Sequence, residues 1–220
     1  MSGLFERLKA DCAEEWSAYV RHPFVAGLGD GSLPLASFQD YLKQDYLFLI
    51  QFARAYALGV YKGRNLAEMR GALDGLKAIL DVEMGLHVRL SDRWNVSAQE
   101  LEQTVEKNGT IAYTRFVLDA GQAGDLLDLF TALAPCMIGY GEIGKCLAGA
   151  GADAHDATYG EWVREYASDE YQVVAQGARD NLDKLAETLL TEARYPRLRK
   201  LFAKASLLEA DFWQMSWEVR

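Results

Sequence analysis

The sequence is poor in the residues that build metal centres and disulfide frameworks. Its three histidines are widely scattered: His22, His87 and His155. Zinc and iron sites usually need imidazoles close together, so no metal or other cofactor is expected. The three cysteines are irregularly spaced: Cys12, Cys136 and Cys146. An odd count with no C-x-x-C pair and no secretion signal disfavours disulfides and fits reduced thiols in the cytoplasm.

Positive charge and long apolar runs are also scarce. Lys and Arg total 23 against 32 Asp and Glu, which gives a formal net charge of -9. Such a chain repels polyanions, so nucleic acid is not an expected partner. The apolar stretch at 47–61 carries Gln51 and Arg54 and is too short to cross a bilayer. We therefore expect no membrane partner.

Apolar periodicity predicts an all-α fold. Half of the 220 residues are hydrophobic, which is enough for a substantial core. No alternating run flanked by hairpin turns indicates a strand, and no repeat or long polar linker divides the chain. The prediction is a single-domain multi-helix bundle over residues 1–220.

Spacing and capping signals set the expected helix boundaries. We predict helices over 4–21, 37–62, 65–90, from 97, 110–120, from 125 through 136, 158–177, 181–193 and a last helix carrying 198–216, with a glycine-rich loop at 27–33. Capping residues are expected at Ser37, Asn65 with Glu68, Ser97 with Glu100, Thr110, Asp125, and Thr158 with Glu161. The chain is expected to stop between helices at Tyr195-Pro196. The buried line of the third helix is predicted to be Leu66, Met69, Leu73, Leu76, Leu80, Met84 and His87.

Cys136 is the first candidate for chemistry. It lies in the glycine-containing segment 133–144, where small residues are expected to clear space around the thiol. Tyr140 falls one helical turn away on the same face. If Pro135 begins a helix, nearby amide donors favour a thiolate; if it kinks a longer helix, the freed carbonyl of Thr131 offers a polar neighbour.

Asp45 and Glu209 are the second and third candidates. Each interrupts an apolar helical stripe, and neither has an arginine or lysine one turn away on the same face. A buried carboxylate costs several kcal/mol unless it is paired, neutralised or faces a ligand. Two such residues at opposite ends of the chain indicate a functional pocket.

Glu83 and His87 stand one turn apart, as in some metal sites. A helical di-iron site needs further inward histidines, and the segment 162–177 has none. We therefore expect the pair to support the site through hydrogen bonds. Glu170 is expected either as another buried partner or as a surface ion pair.

Several motifs together carry a family resemblance. They are His22-Pro23-Phe24, the run from Phe38 to Tyr46, the segment from Asp81 to His87, Tyr113-Thr114, the run from Pro135 to Gly144, Trp162 and Tyr166 with Glu170, and the run from Glu209 to Met215. With them the chain resembles, over nearly its whole length, the thiol-bearing branch of the TenA family, also called thiaminase II or aminopyrimidine aminohydrolase. That family lies in the haem-oxygenase-like superfamily.

The resemblance implies a role for each candidate. Cys136 matches a nucleophile that adds to a pyrimidine ring, Glu209 matches an acid that protonates a ring nitrogen, and Asp45 matches the carboxylate that holds an exocyclic amine. The expected pocket residues are Tyr113, Tyr140, Tyr166, Phe48 and Phe212. Phe48 stands where many members have tyrosine, so its missing hydroxyl bears on thiol positioning or substrate choice.

The implied activity is hydrolysis of 4-amino-5-aminomethyl-2-methylpyrimidine to the hydroxymethylpyrimidine in thiamine salvage, with thiamine as a slower substrate. The implied assembly is a homotetramer. Two alternatives stay open at this point: a superfamily oxygenase that uses di-iron or a redox cofactor, and a non-catalytic pyrimidine-binding or regulatory protein.

Overall fold

The computed structural model describes residues 3–154 and 159–219, and within those ranges the chain is helical with no strand. The α-helices are α1 Leu4–Asp11, α2 Ala13–Val20, α3 Pro23–Asp30, α4 Leu35–Lys62, α5 Leu66–Lys77, α6 Met84–Asp92, α7 Ala98–Glu102, α8 Asn108–Ala123, α9 Leu126–Gly149, α10 Gly160–Ala167, α11 Asp169–Leu189 and α12 Tyr195–Trp217. A π-helical segment, Ala78–Glu83, joins α5 to α6, and a short 3-10 turn covers Ala152–Ala154. The all-α prediction is confirmed.

The N-terminal region differs from the prediction in two places. Cys12 leaves helical geometry, with φ -122° and ψ 35°, so the predicted helix over 4–21 is two helices. The predicted glycine-rich loop is mostly helix α3, which His22 caps by accepting a hydrogen bond from the Phe24 amide at 3.2 Å. This helix ends at Gly31, whose φ of 77° favours glycine.

Helix α4 starts two residues before the predicted cap. Pro34 precedes it, and Ser37 lies inside the helix, where its hydroxyl donates to the Val219 carbonyl at 2.7 Å. A buried serine hydroxyl can therefore tie two distant segments as well as cap a helix. The predicted end near Lys62 is confirmed.

The cap at Asn65 is confirmed, but the predicted buried line of the following helix is wrong. Four of its large apolar residues are exposed: Leu66, Met69, Leu73 and Leu80. His87 is buried as predicted, and the other buried residues of this region are Ala72, Ile79, Glu83, Leu86, Leu90 and Ser91. Small residues explain the shift, because a Cβ on Gly75 would overlap the Tyr56 ring. Helix α5 thus packs closely on α4 through its small face and turns its leucines outward.

The middle helices follow their caps. The capping box of Ser97 and Glu100 is confirmed at the start of α7. Helix α8 begins at Asn108 and not at Thr110, whose buried hydroxyl donates to the Gln44 side chain at 2.6 Å.

Helix α9 is the central element. Asp125 caps it as predicted, and the helix then runs without a break through Pro135. It is long and apolar enough to cross a membrane by length and composition, although no such segment was expected. However, 94% of its most apolar window is buried against the rest of the chain. This pattern is typical of a core helix, and α9 packs against α8, α10, α11 and α12.

The C-terminal boundaries are partly wrong. Thr158 lies outside the described residues. The helix predicted over 158–177 breaks at Ser168, whose side chain caps α11 by accepting from the Tyr171 amide at 3.1 Å. The helix predicted over 181–193 is the second half of α11, and Tyr195-Pro196 begins α12 because proline is tolerated in a first turn.

Candidate active site

The candidate residues converge on one buried region from seven parts of the fold. Those that are buried are Asp45 and Phe48 on α4, Glu83 at the end of the π-helical segment, His87 on α6, Tyr113 on α8, Cys136 and Tyr140 on α9, Tyr166 on α10, and Glu209 and Phe212 on α12. Burial on this scale for so many polar groups requires partners, and the following contacts provide them.

Cys136 lies in the middle of α9 and is 5% exposed. Its thiol lies close enough to Glu209 for the two groups to influence each other's ionisation. Burial raises the pKa of the thiol well above its usual range, and the nearby carboxyls of Glu209, Glu83 and Asp45 raise it further. Because Pro135 is inside a continuous helix, the interpretation that it begins a helix is wrong. The resting thiol therefore keeps its proton.

The glycines near Cys136 permit close packing and do not open space, contrary to the sequence interpretation. A Cβ on Gly139 would overlap the ring of Tyr19. A Cβ on Gly144 would come within 2.6 Å of the Tyr166 backbone. Gly144 thus lets α10 approach α9 closely enough to bring the Tyr166 ring beside that of Tyr140, with 5.0 Å between ring centroids.

Glu209 is buried among neutral partners. The Tyr113 hydroxyl donates to its Oε1 at 2.9 Å. Burial raises the pKa of Glu209 to about 8, with a further rise from Asp45, against the lowering effect of Tyr113 and Cys136. A carboxyl of this kind holds a proton at neutral pH and can deliver it to a base.

Asp45 has a histidine neighbour from a different helix. Its Oδ2 accepts a hydrogen bond from the Tyr41 hydroxyl at 2.8 Å and lies 2.6 Å from His87 Nε2. His87 Nδ1 donates to the Glu83 carbonyl at 2.9 Å, which fixes the ring. Burial lowers the pKa of His87, but Asp45 and Glu83 together raise it by more, so the net change is upward. The contact with Asp45 thus favours the protonated form of the imidazole.

Glu83 and His87 are in contact, but the hydrogen bond between them uses the Glu83 backbone and not its side chain. His87 contacts the Glu83 backbone and directs its other nitrogen to Asp45, so the Glu83 side chain is left to other partners. The buried Glu83 Oε2 lies 3.5 Å from the Tyr166 hydroxyl. Glu170 is exposed, so the expectation of a buried partner is wrong.

Aromatic rings form two walls. Tyr140 packs on Tyr166, and Phe48 packs on Tyr113 and Phe212 with ring centroids 4.9 Å and 5.5 Å apart. The wall of Phe48, Tyr113 and Phe212 adjoins Glu209, because the Tyr113 hydroxyl is hydrogen-bonded to that carboxyl. Flat faces beside carboxyl groups suit a flat heteroaromatic ligand.

The family model for TENA/THI-4/PQQC proteins matches residues 10–219. The chain belongs to this family. The expected resemblance to TenA is therefore confirmed.

Known proteins of this family include close relatives of the chain. An aminopyrimidine aminohydrolase from Halalkalibacterium halodurans is 42% identical over 205 residues, which cover 93% of this chain and 91% of the relative. The crystal structure of a TenA family transcription regulator from a Silicibacter species matches with a TM-score of 0.93 at 42% identity, covering 98% of this chain and 96% of that chain. A Shewanella denitrificans domain with a heme oxygenase-like fold matches with a TM-score of 0.76 at 12% identity, covering 97% and 92%. The last match concerns fold alone, and the haem-oxygenase-like prediction is confirmed.

Two supporting residues of this TenA-family site were missed from the sequence. Tyr41 bonds directly to Asp45, and the Trp162 indole donates to the Tyr41 hydroxyl at 3.1 Å. Tyr41 precedes Asp45 by one helical turn on the same face, so the spacing carried a signal for the first contact. Nothing in the spacing indicated the second, because it joins α4 to α10.

No three His, Cys, Asp or Glu side chains in ranges 3–154 and 159–219 lie close enough together to hold a metal ion. The carboxyls of the TenA-family site are instead arranged around one thiol and one imidazole. This donor set suits acid–base and nucleophilic chemistry.

Proposed function

We propose that this chain is an aminopyrimidine aminohydrolase of the thiaminase II type, which hydrolyses 4-amino-5-aminomethyl-2-methylpyrimidine to the 5-hydroxymethyl product. The observation that carries the proposal is the buried thiol of Cys136 close to Glu209, a carboxyl that holds a proton at neutral pH. The Halalkalibacterium relative, 42% identical over nearly the whole chain, bears that name.

The two carboxyls suit opposite edges of an aminopyrimidine. Asp45, in contact with His87, accepts a hydrogen bond from the 4-amino group. Glu209 faces ring nitrogen N1, to which it can give a proton. Phe48, Tyr113 and Phe212 supply an aromatic surface against which the pyrimidine ring can lie, with one carboxyl at each edge of the ring.

The first chemical step adds the thiol across the ring. The sulfur forms a bond to C6, and the pair of the C6–N1 double bond moves to N1, which takes a proton from Glu209. That proton is the one that Glu209, as a carboxylate, has just received from the thiol, so the reactive pair of groups holds one proton between them. Protonation of N1 makes C6 electrophilic enough for sulfur to attack.

The second step expels the leaving group. The 4-amino nitrogen, held by Asp45, pushes electrons through C4 and C5, and the bond from the exocyclic methylene to its amine breaks with the electron pair on nitrogen. Water then adds to the methylene, and reversal of the sulfur addition restores the aromatic ring and the thiol. The net change replaces an amine by a hydroxyl.

The remaining features are part of the same proposal. Thiamine carries its thiazolium on the same methylene, so it is proposed as a slower substrate. We propose that the protein acts without a cofactor, as one domain, in the cytoplasm as a homotetramer. A DNA-binding regulatory role is disfavoured because the net charge of -9 opposes binding to a polyanion.

A substrate panel with product identification tests the activity. Purified protein is incubated with the aminomethylpyrimidine and with thiamine, and ammonia, thiazole and hydroxymethylpyrimidine are measured. We expect stoichiometric ammonia and hydroxymethylpyrimidine from the first, with the higher kcat/KM. Tight binding of both compounds with no product from either would contradict the proposal and support a binding protein.

A further inference from the structure

Glu83 is a buried carboxyl that the proposed mechanism does not use. It is 5% exposed and ends the π-helical segment. Its Oε1 has no hydrogen-bond partner within the described chain, and Oε2 has only the long 3.5 Å contact with the Tyr166 hydroxyl. A buried carboxyl oxygen without a partner is costly, and π-helical segments are frequent at functional sites. Glu83 is thus free to bind a ligand atom.

Two links place Glu83 beside the reacting groups. One imidazole connects it to Asp45, since His87 bonds the Glu83 carbonyl through one nitrogen and Asp45 through the other. Glu83 also interacts electrostatically with Cys136, where it contributes more than Asp45 to the raised pKa of the thiol. Glu83 is therefore near both Asp45 and Cys136.

The substrate ring projects one group between Asp45 and Cys136. With Glu209 at N1, the thiol at C6 and Asp45 at the 4-amino group, the carbon between C6 and C4 is C5. C5 bears the aminomethyl branch, whose nitrogen leaves in the reaction. The branch therefore points between Cys136 and Asp45, and Glu83 is the remaining buried carboxyl near both residues.

The surroundings of Glu83 also suit a cation. It lines a small pocket of about 60 Å³ together with Glu165 and Glu170. Glu170 is exposed, so this pocket runs from the surface to the buried carboxyl. Burial and Asp45 raise the pKa of Glu83 to about 8, while His87 lowers it. Near neutral pH the group can thus hold a proton or, beside an ammonium, give it up.

We propose that Glu83 binds the aminomethyl nitrogen of the substrate and makes the site prefer an amine leaving group to a thiazolium. This inference rests on the proposed function. The nitrogen leaves as ammonia with the electron pair of the broken C–N bond. When water adds hydroxide to the methylene, its proton passes through Glu83 to the ammonia, which departs as ammonium. Atoms and charge balance without any further reactant.

Ligand binding to an inactive protein tests the proposal directly. In the Cys136→Ser background, calorimetry measures Kd for the aminomethylpyrimidine and for the hydroxymethyl product, which differ only at the proposed contact. Adding Glu83→Gln is expected to weaken the amine at least tenfold and the product less than twofold. The matched control is Glu165→Gln, on the wall of the same pocket, which is expected to change neither Kd by more than twofold.

Each other outcome overturns a defined part of the account. Equal weakening of both ligands, or no weakening, overturns the role of Glu83 while leaving the proposed function intact. Failure of either pyrimidine to bind Cys136→Ser or wild type overturns the proposed function itself. If Glu83→Gln does not fold, Glu83→Asp keeps the charge and shortens its reach, and an unchanged ratio of the two Kd values there also overturns the role.

Discussion

Glu209 and Asp45 are two carboxyls buried to nearly the same extent, at 1% and 3% exposure, yet their partners differ. Glu209 has a phenol and a thiol, which are neutral, and burial raises its pKa to about 8. Asp45 has a phenol and an imidazole, which stabilise a negative charge. The same burial therefore yields a proton donor in one place and an anionic acceptor in the other, because the partners decide which form is stable.

The largest predicted effect concerns the thiol between these two carboxyls. Cys136→Ser is expected to lower kcat for the aminomethylpyrimidine by about 1,000-fold or more, because a serine hydroxyl is a far weaker nucleophile in this site. Ammonia release in a steady-state assay measures it. Cys146→Ser is the control, since that thiol is exposed near the C-terminal end of the same helix. Equal turnover by Cys136→Ser and wild type would reject the nucleophile assignment.

The next effect separates the two carboxyls. Glu209→Gln removes the transferable proton and is expected to lower kcat by about 100-fold or more. Asp45→Asn removes the anionic acceptor and should also raise KM, because the 4-amino group loses a charged hydrogen-bond partner. Initial-rate kinetics on both variants measure the separate changes in kcat and KM. Identical changes in kcat and KM for the two variants would abolish the distinction between them.

The pH profile gives a smaller and graded effect. The reactive form needs one proton shared by Cys136 and Glu209, so activity falls when Glu209 and the thiol are both protonated. Since burial sets the pKa of Glu209 to about 8, kcat/KM should fall about tenfold per pH unit below that value. It should fall again in strongly alkaline solution, where both groups lose their protons. An acid limb near pH 4.5 would contradict the assignment of Glu209.

Stability gives the smallest effect. The folded protein holds a proton on Glu209 up to about pH 8, whereas the ordinary value is 4.5. The wild type therefore loses stability as pH rises from 4.5 to 8, and glutamine does not titrate. The Tm of Glu209→Gln relative to wild type should rise by about 10 °C between pH 5 and pH 9. Scanning calorimetry on the ligand-free proteins measures it.

Glu187→Gln is the matched control for this stability series, because Glu187 is exposed. Its Tm relative to wild type should stay constant over the same pH range. A constant difference for Glu209→Gln as well would mean that the buried carboxyl is already ionised in the folded state.

Local patterns in the sequence predicted the features that depend on the residues of a single helix. Asp45 and Glu209 stood out because a single carboxylate on an apolar stripe is visible at helical spacing. The partner of Asp45 was not visible, since His87 comes from another helix 42 residues later. The buried face of α5 was also wrong, because Gly75 against Tyr56 lets small residues pack inward while leucines face outward. Packing between helices decided both cases.

A crystal structure with the hydroxymethylpyrimidine product tests the central claim most directly. We expect the ring between the aromatic walls, with Glu209 hydrogen-bonded to N1, Asp45 to the 4-amino group, and the Cys136 sulfur over C6 at about van der Waals distance. A product bound with the sulfur far from the ring, or with the two carboxyls on other atoms, would contradict the account.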